Sequence, residues 1–227
     1  METIFILYKP AVPGNIGAAA RAMKTMGFSK MRLIKPCDHL SDEARMLAHG
    51  SNDILEQAER FETFEQAVDD LDFIVGTTAK NRSSKQDYHN PSSLSEILRK
   101  KDTRIRKAGL LFGTEESGLP NEILLRCDAA STIPLAVSYP SLNLGQAVML
   151  YAYELSAWNS PEFQKTDKNE ISYRQLKERI QEIMSQTGIP EEMPLYTRIL
   201  ERLSLLGDED LNLLHSISSR IHEKWMK

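Results

Sequence analysis

The sequence predicts an α/β fold built on a mostly parallel sheet, with a small all-α extension at the C-terminal end. Three observations carry this. Through the first two thirds of the 227 residues, short apolar runs alternate with segments of helical periodicity. Most of those runs are continuous rather than alternating, as strands covered on both faces require. After residue 158 the strand signal stops and only helical patterns follow.

Taken in order, strands are expected at Ile4 to Tyr8, Met31 to Ile34, Phe73 to Thr77, Gly109 to Phe112 and Ser131 to Pro134. Helices are expected near Gly17 to Met26, Ser41 to Ala48, Thr63 to Asp70, Ser92 to Lys101, Asn121 to Arg126 and Leu144 to Trp158. Ser41 and the step Pro120-Asn121-Glu122 supply capping signals for two of them. Thr78 to Pro91 has no apolar period and reads as a long loop, a length that is usually functional in a compact domain. Polar residues 159–170 read as a linker, which bounds a first domain at 1–158 and a helical extension at 171–227. Within the extension, helices are expected near Ser172 to Thr187, Pro194 to Leu206 and Asp208 to Trp225.

Composition excludes several classes. With 41% hydrophobic residues and no low-complexity segment, the chain is not globally disordered. Its two cysteines, Cys37 and Cys127, make no disulfide framework and suit a reducing compartment. The N-terminus lacks the basic start of a signal peptide and its apolar run is too short to span a membrane, so the expected location is the cytoplasm. A net charge of −4 argues at first against a nucleic-acid partner. Along the chain, however, the charge is segregated: +5 over Arg21 to Lys35, −9 over Asp38 to Asp72 and +6 over Lys80 to Lys107. Solvated helix faces explain such blocks, and so does a footprint for a polyanion.

Common catalytic and nucleotide motifs are missing. The glycines Gly14 and Gly17 do not complete G-x-G-x-x-G, no G-x-x-x-x-G-K-[ST] occurs, and Ser117 has the wrong spacing for a nucleophile elbow. The five histidines form no H-x-x-x-H, no C-x-x-C occurs, and Cys37-Asp38-His39 reads as a surface loop rather than a metal site.

Three segments are more constrained than packing alone demands. Pro13 to Phe28 places small residues on consecutive helical turns, which permits a close helix contact, with Asn15 available as a cap and Arg21 set among alanines. If buried there, Arg21 needs an anionic partner. Leu110 to Glu122 is a buried strand opening into a glycine-bracketed acidic loop, the position at which open α/β sheets bind ligands. Ile133 to Val148 is a strand end, a proline-containing loop and a helix start with free backbone N–H groups.

In this order and spacing the three segments resemble the TrmH-type branch of the SPOUT superfamily, the RNA 2′-O-ribose methyltransferases. The resemblance rests on Asn15-Ile16-Gly17 followed by Arg21, on Phe112-Gly113-x-Glu115-x-x-Gly118-Leu119, and on Ser141-Leu142-Asn143-Leu144 at a helix start. It covers residues 1–158 and, with the helical tail, is strongest toward the TrmJ/LasT group. The resemblance implies a SPOUT fold with a deep C-terminal trefoil knot, one of the rare exceptions to unknotted connections. It also implies S-adenosyl-L-methionine as cofactor and a homodimer.

Carried onto this chain, the implied cofactor contacts are Thr77, Thr78, Ala79, Gly113, Ile133, Pro140, Ser141, Leu142 and Asn143. Arg21 is the implied catalytic residue, supported by Asn15, Glu115, Ser141 and Asn143. A guanidinium with a pKa above about 12 is a poor base, so a phosphate contact and stabilisation of the developing alkoxide suit Arg21 better than proton removal. RNA contacts are expected from Arg21, Lys24, Lys80, Arg82 and Lys85, and more broadly from the two basic blocks, including Arg99 to Lys107. No metal and no membrane are implied. The implied activity is methyl transfer to a ribose 2′-hydroxyl of tRNA, in the anticodon loop. A ribosomal RNA substrate stays open, as does an RNA-binding protein with weak or no catalysis, because Thr114 replaces the family's usual arginine.

Overall fold

The apolar runs assemble into one sheet in a computed structural model that describes residues 1–79, 85, 87–101, 103–137, 141–156 and 172–225. Its strands are β1 (Glu2–Tyr8), β2 (Met31–Ile34), β3 (Glu59–Phe61), β4 (Phe73–Thr77), β5 (Tyr88–His89), β6 (Lys107–Phe112) and β7 (Ala129–Ser131), in the order β3-β2-β1-β6-β4-β7-β5. Each pairing between these strands is parallel. In the centre, Phe5 lies opposite Met31 on one side and Leu110 on the other, and Leu110 lies opposite Val75.

Side chains alternate across a strand, so a continuous apolar run serves two cores. Phe5, Leu7, Leu33, Phe73, Val75, Leu110 and Phe112 face one layer, while Ile4, Ile6, Ile34, Ile74 and Leu111 face the other. The first layer holds α1 (Pro13–Thr25), α2 (Asp42–Ala48), α3 (Asn52–Glu56), α5 (Pro91–Arg99) and α7 (Leu144–Leu155). The second holds α4 (Phe64–Val68) and α6 (Asn121–Arg126). Each fully buried Leu, Ile or Phe contributes roughly 1.5–3 kcal/mol, which makes the central strands the stable frame of the molecule.

The differences from the expected elements have local causes. The strand expected at Ser131 to Pro134 is instead Ala129–Ser131, because its ladder partner β4 ends at Thr77 and Pro134 has no N–H to continue the pairing. Strands β3 and β5, three and two residues long, escape a search for apolar runs because they are the sheet's two edges. Helix α3 is only five residues and carries no periodic signal. Helix α1 begins earlier than expected, with Pro13 in its first turn, where a missing N–H costs nothing. Helix α7 ends at Leu155, and the linker assigned to 159–170 lies outside the described residues. So does 138–140 in the connection from β7 to α7, along which a trefoil knot is expected to be threaded.

The C-terminal extension comprises α8 (Tyr173–Gln186), α9 (Pro194–Leu205) and α10 (Asp208–Trp225), and it packs on the first part of the chain. The Tyr173 ring meets Phe73 edge-on at 5.1 Å, Lys177 pairs with buried Asp128 at 2.7 Å, and Arg198 pairs with Asp87 at 2.7 Å. Asp128 also accepts from the Ile74 N–H at 2.8 Å, so this ion pair reaches a strand of the sheet.

Small residues bring α1 against α2. A Cβ at Gly17 would lie 2.1 Å from the Ala44 carbonyl oxygen, a backbone atom that has no side-chain freedom to retreat. Substituting Gly17→Ala is expected to cost about 1–3 kcal/mol of unfolding free energy, read as a lower urea midpoint with an unchanged slope.

Candidate active site

A cavity of about 500 Å3 opens where β4, β6 and β7 end, at the C-terminal edge of the sheet where open α/β folds take ligands. Thr77, Thr78 and Ala79 line it from β4, and Phe112 and Gly113 from β6. Ile133 and Leu135 follow β7, and Ser141, Leu142, Leu144, Ala147 and Tyr151 come from the entry and first turns of α7. Two hydrogen bonds hold the β4 end: the Thr77 hydroxyl donates to the Leu111 carbonyl at 3.0 Å, and the Thr78 N–H donates to the Ser131 carbonyl at 2.9 Å. The Tyr151 ring stands edge-on to Phe112 at 5.6 Å. Its hydroxyl donates to the Ser131 hydroxyl at 2.9 Å, which donates to the His89 carbonyl at 2.7 Å. Burial pushes the Tyr151 phenol well above its ordinary pKa, so it stays neutral.

The acidic loop after β6 is a tight closed unit. Thr114 and Gly118 exchange backbone hydrogen bonds at 3.2 and 2.9 Å, and the Thr114 hydroxyl accepts from the Ser117 N–H at 3.2 Å. A Cβ at Gly113 would fall 2.0 Å from the Gly118 carbonyl carbon, so only glycine fits there. Thr114 thus closes the loop through its backbone and its hydroxyl.

Closure of this loop places Glu115 against the start of α1. One carboxylate oxygen accepts from the Ala11 N–H at 3.1 Å, and the other from the Val12 N–H at 3.3 Å and the Asn15 side-chain amide at 3.0 Å. Asn15 in turn accepts from the Asn143 amide at 2.7 Å, and the Asn143 side-chain oxygen accepts from the Gly145 N–H at 2.8 Å. One hydrogen-bond chain thus joins all three motif segments. Burial alone raises the pKa of Glu115, but the Asn15 amide and the backbone N–H groups outweigh it and hold the carboxyl below its ordinary value.

Several expectations need correction. Asn15 does not cap α1, whose N-cap residue is Val12 with no side-chain cap; Asn15 faces Glu115 and Asn143 instead. The N–H groups at the start of α7 are not all free, because Asn143 and Gln146 form a capping box there. Asn143 stands behind the cavity rather than in its lining, while Pro140 lies outside the described residues. Arg21 is exposed, not buried, and its guanidinium makes no hydrogen bond or ion pair among the described residues. Lys24 is paired with Asp53 at 2.6 Å.

Lys85 is no RNA contact: it is 5% exposed and its ammonium donates to the Cys127 carbonyl at 2.8 Å, and burial lowers its pKa. Lys80 and Arg82 lie outside the described residues. Half of the bases in the run Arg99 to Lys107 are also consumed by the fold, while Arg99, Lys100 and Arg106 stay exposed. Lys101 is fully buried with its pKa pushed down to about 8 by desolvation, Arg104 is buried beside Asp208, and Lys107 pairs with Asp70. In the first block, Arg32 is buried between Glu59 and Asp70.

The lining residues not anticipated were Phe112, Thr114, Glu116, Ser117 and Gly118, which flank the motif positions, and Leu135, Leu144, Ala147 and Tyr151. Leu144, Ala147 and Tyr151 share a face by their spacing of three and four, the one signal that could have found Tyr151.

Comparison with known proteins gives consistent results. Residues 2–153 match the SpoU rRNA Methylase family, and residues 170–225 match the C-terminal domain of the tRNA/rRNA methyltransferase LasT. The chain is 38% identical to a protein of Escherichia coli K12 described as an uncharacterized tRNA/rRNA methyltransferase LasT, over 100% of both chains. It is 30% identical to the tRNA (cytidine-2′-O-)-methyltransferase TrmJ of Methanocaldococcus jannaschii, covering 92% of this chain and 95% of that one. The crystal structure of TrmJ from Z. mobilis ZM4 superposes with a TM-score of 0.68 at 25% identity, covering 98% of this chain and 100% of the other.

Removing the Glu115 carboxylate leaves two backbone N–H groups and an amide without their acceptor. Glu115→Ala is expected to cost about 1–3 kcal/mol at neutral pH. Because the folded-state pKa is lowered, the wild-type advantage is present above the ordinary carboxyl pKa and fades as pH falls through the lowered value. Urea unfolding of both proteins from pH 7 to pH 3 should therefore show their stabilities converging at the acid end.

Proposed function

The chain belongs to the SpoU methylase family, and on that premise we propose that the cavity is the cofactor site of an S-adenosylmethionine-dependent tRNA 2′-O-ribose methyltransferase. The observation that carries this reading is the convergence of the second and third motif segments on one cavity, with the first joined to both through Asn15, on the same helix as Arg21, whose guanidinium has no partner among the described residues. The lining suits the cofactor. Phe112, Ile133, Leu135 and Leu142 offer apolar walls for an adenine ring, and Thr77, Thr78 and Ser141 offer hydroxyl and backbone groups for a ribose.

When bound, S-adenosylmethionine supplies an electrophilic methyl group on a cationic sulfur. The chain's own residues supply alignment and charge. Arg21 is too weak a base to remove the 2′-hydroxyl proton; its guanidinium holds the phosphate beside the target ribose and stabilises negative charge on the 2′-oxygen as its proton passes to solvent water. Glu115, with both oxygens occupied and its basicity lowered, is a positioning residue that sets α1, and so Arg21, relative to the cavity. Alignment of nucleophile and methyl carbon is the main demand of such a displacement, and the hydrogen-bond chain through Asn15 and Asn143 meets it.

The same reading places the target in the anticodon loop of tRNA and makes the working unit a homodimer in the cytoplasm. Support for the dimer comes from exposed apolar side chains on the helices flanking α1: Met46 and Leu47 on α2, Leu150 and Tyr153 on α7. Among the described residues no helix is long and apolar enough to cross a membrane.

Arg21→Ala is expected to lower methyl transfer at least about 100-fold with cofactor binding unchanged, read by nucleoside mass spectrometry and calorimetry. Full activity of that variant overturns the role assigned to Arg21. With wild-type protein, a 2′-O-methyl nucleoside formed in ribosomal RNA and none in tRNA overturns the substrate. Tyr153→Asp is expected to shift the mass in light scattering from dimer to monomer.

A further inference from the structure

The described lining of the cavity contains two charged side chains, Glu115 and Glu116, and no base. The three groups that donate to Glu115 from elsewhere in the chain, two backbone N–H groups and an amide, are all neutral, so its negative charge is bonded but not cancelled. The positive end of α1 offsets part of it. Glu116 is exposed at the cavity and makes no hydrogen bond or ion pair among the described residues. A carboxylate pair on a closed loop, held there by Thr114, Ser117 and Gly118, thus gives the cavity a negative field with no cation of its own among the described lining.

We propose that Glu116 is a specificity-determining residue, whose free carboxylate makes the cavity hold the sulfonium cofactor more tightly than the thioether left after transfer. The inference rests on the cofactor assigned above. When the methyl group leaves, the electron pair of the carbon–sulfur bond stays on sulfur, and the cation beside the carboxylates becomes neutral. The attraction is therefore lost on turnover, which favours release of the product. Glu115 cannot play this part alone, since it is committed to α1.

The cofactor and its thioether product carry the same ammonium and carboxylate on the amino-acid portion. A contact with that portion changes both affinities together, and only a contact with the sulfonium changes their ratio. The test is calorimetric titration of the full chain, wild type and Glu116→Gln, with S-adenosylmethionine, S-adenosylhomocysteine and sinefungin, which places an ammonium near the sulfonium position. For Glu116→Gln, S-adenosylmethionine and sinefungin are expected to weaken about two- to fivefold, with S-adenosylhomocysteine unchanged and the effect smaller in 0.5 M salt. Glu116→Asp keeps the charge and is expected to keep the wild-type ratio. Equal weakening of all three ligands, or no change in any, overturns the proposal. Failure of the wild-type chain to bind S-adenosylmethionine overturns the cofactor reading instead.

Discussion

The carboxylate of Glu115 is the point on which the site depends. It lies more than 100 residues from Ala11 and Val12 in sequence, yet it accepts both of their N–H groups and the Asn15 amide. Helix α1 has no side-chain cap of its own; Glu43 of α2 accepts from the Gly14 N–H in its first turn at 3.3 Å, and Glu115 from the β6 loop holds the two residues that lead into it. The consequence is geometric: the start of α1 cannot shift without breaking hydrogen bonds to the loop that forms one wall of the cavity. Through Asn15 and Asn143 the same constraint reaches the start of α7, which forms another wall.

Such an arrangement separates the carboxylates by job. Glu115 is held ionised by donors and used to position backbone, while its neighbour Glu116 has no partner among the described residues and lines the cavity. The cavity's polarity then comes from a loop whose shape is enforced by a glycine with no room for a Cβ and by the Thr114 and Gly118 hydrogen bonds. A ligand site built on loops held by a rigid parallel sheet keeps its geometry because the strands beneath are buried on both faces.

Charge along the chain proved a poor guide to charge at the surface. Of the two basic blocks, Arg32, Lys85, Lys101 and Arg104 are buried and Lys107 is paired with Asp70. A buried charge is tolerable only with partners or a shifted pKa, and these residues have the one, the other or both. The cations left for a phosphate are fewer than the local sums of +5 and +6 suggest; Arg21, Lys30, Lys35, Arg99, Lys100 and Arg106 stay exposed, and of these Arg21 is the one on the helix whose entry Glu115 holds.

What the sequence by itself determined was whatever depends on neighbours along the chain. The β2 and β4 runs, the α6 and α10 segments and the glycine-bracketed acidic loop follow from apolar content, periodicity and turn chemistry, all short-range. The family resemblance carried by the motifs implied that Thr77, Thr78, Ala79, Gly113, Ile133, Ser141 and Leu142 stand together, and the structure gathers those residues around one cavity. Tertiary structure alone decided which polar groups are spoken for. That Asn15 serves Glu115 rather than its own helix and that Lys85 is buried on a carbonyl depend on partners tens or a hundred residues away, and Glu116 finds none among the described residues. Apolar burial needs only an apolar neighbour, whereas a hydrogen bond needs a particular atom at a particular distance and angle, and that atom is chosen by the fold.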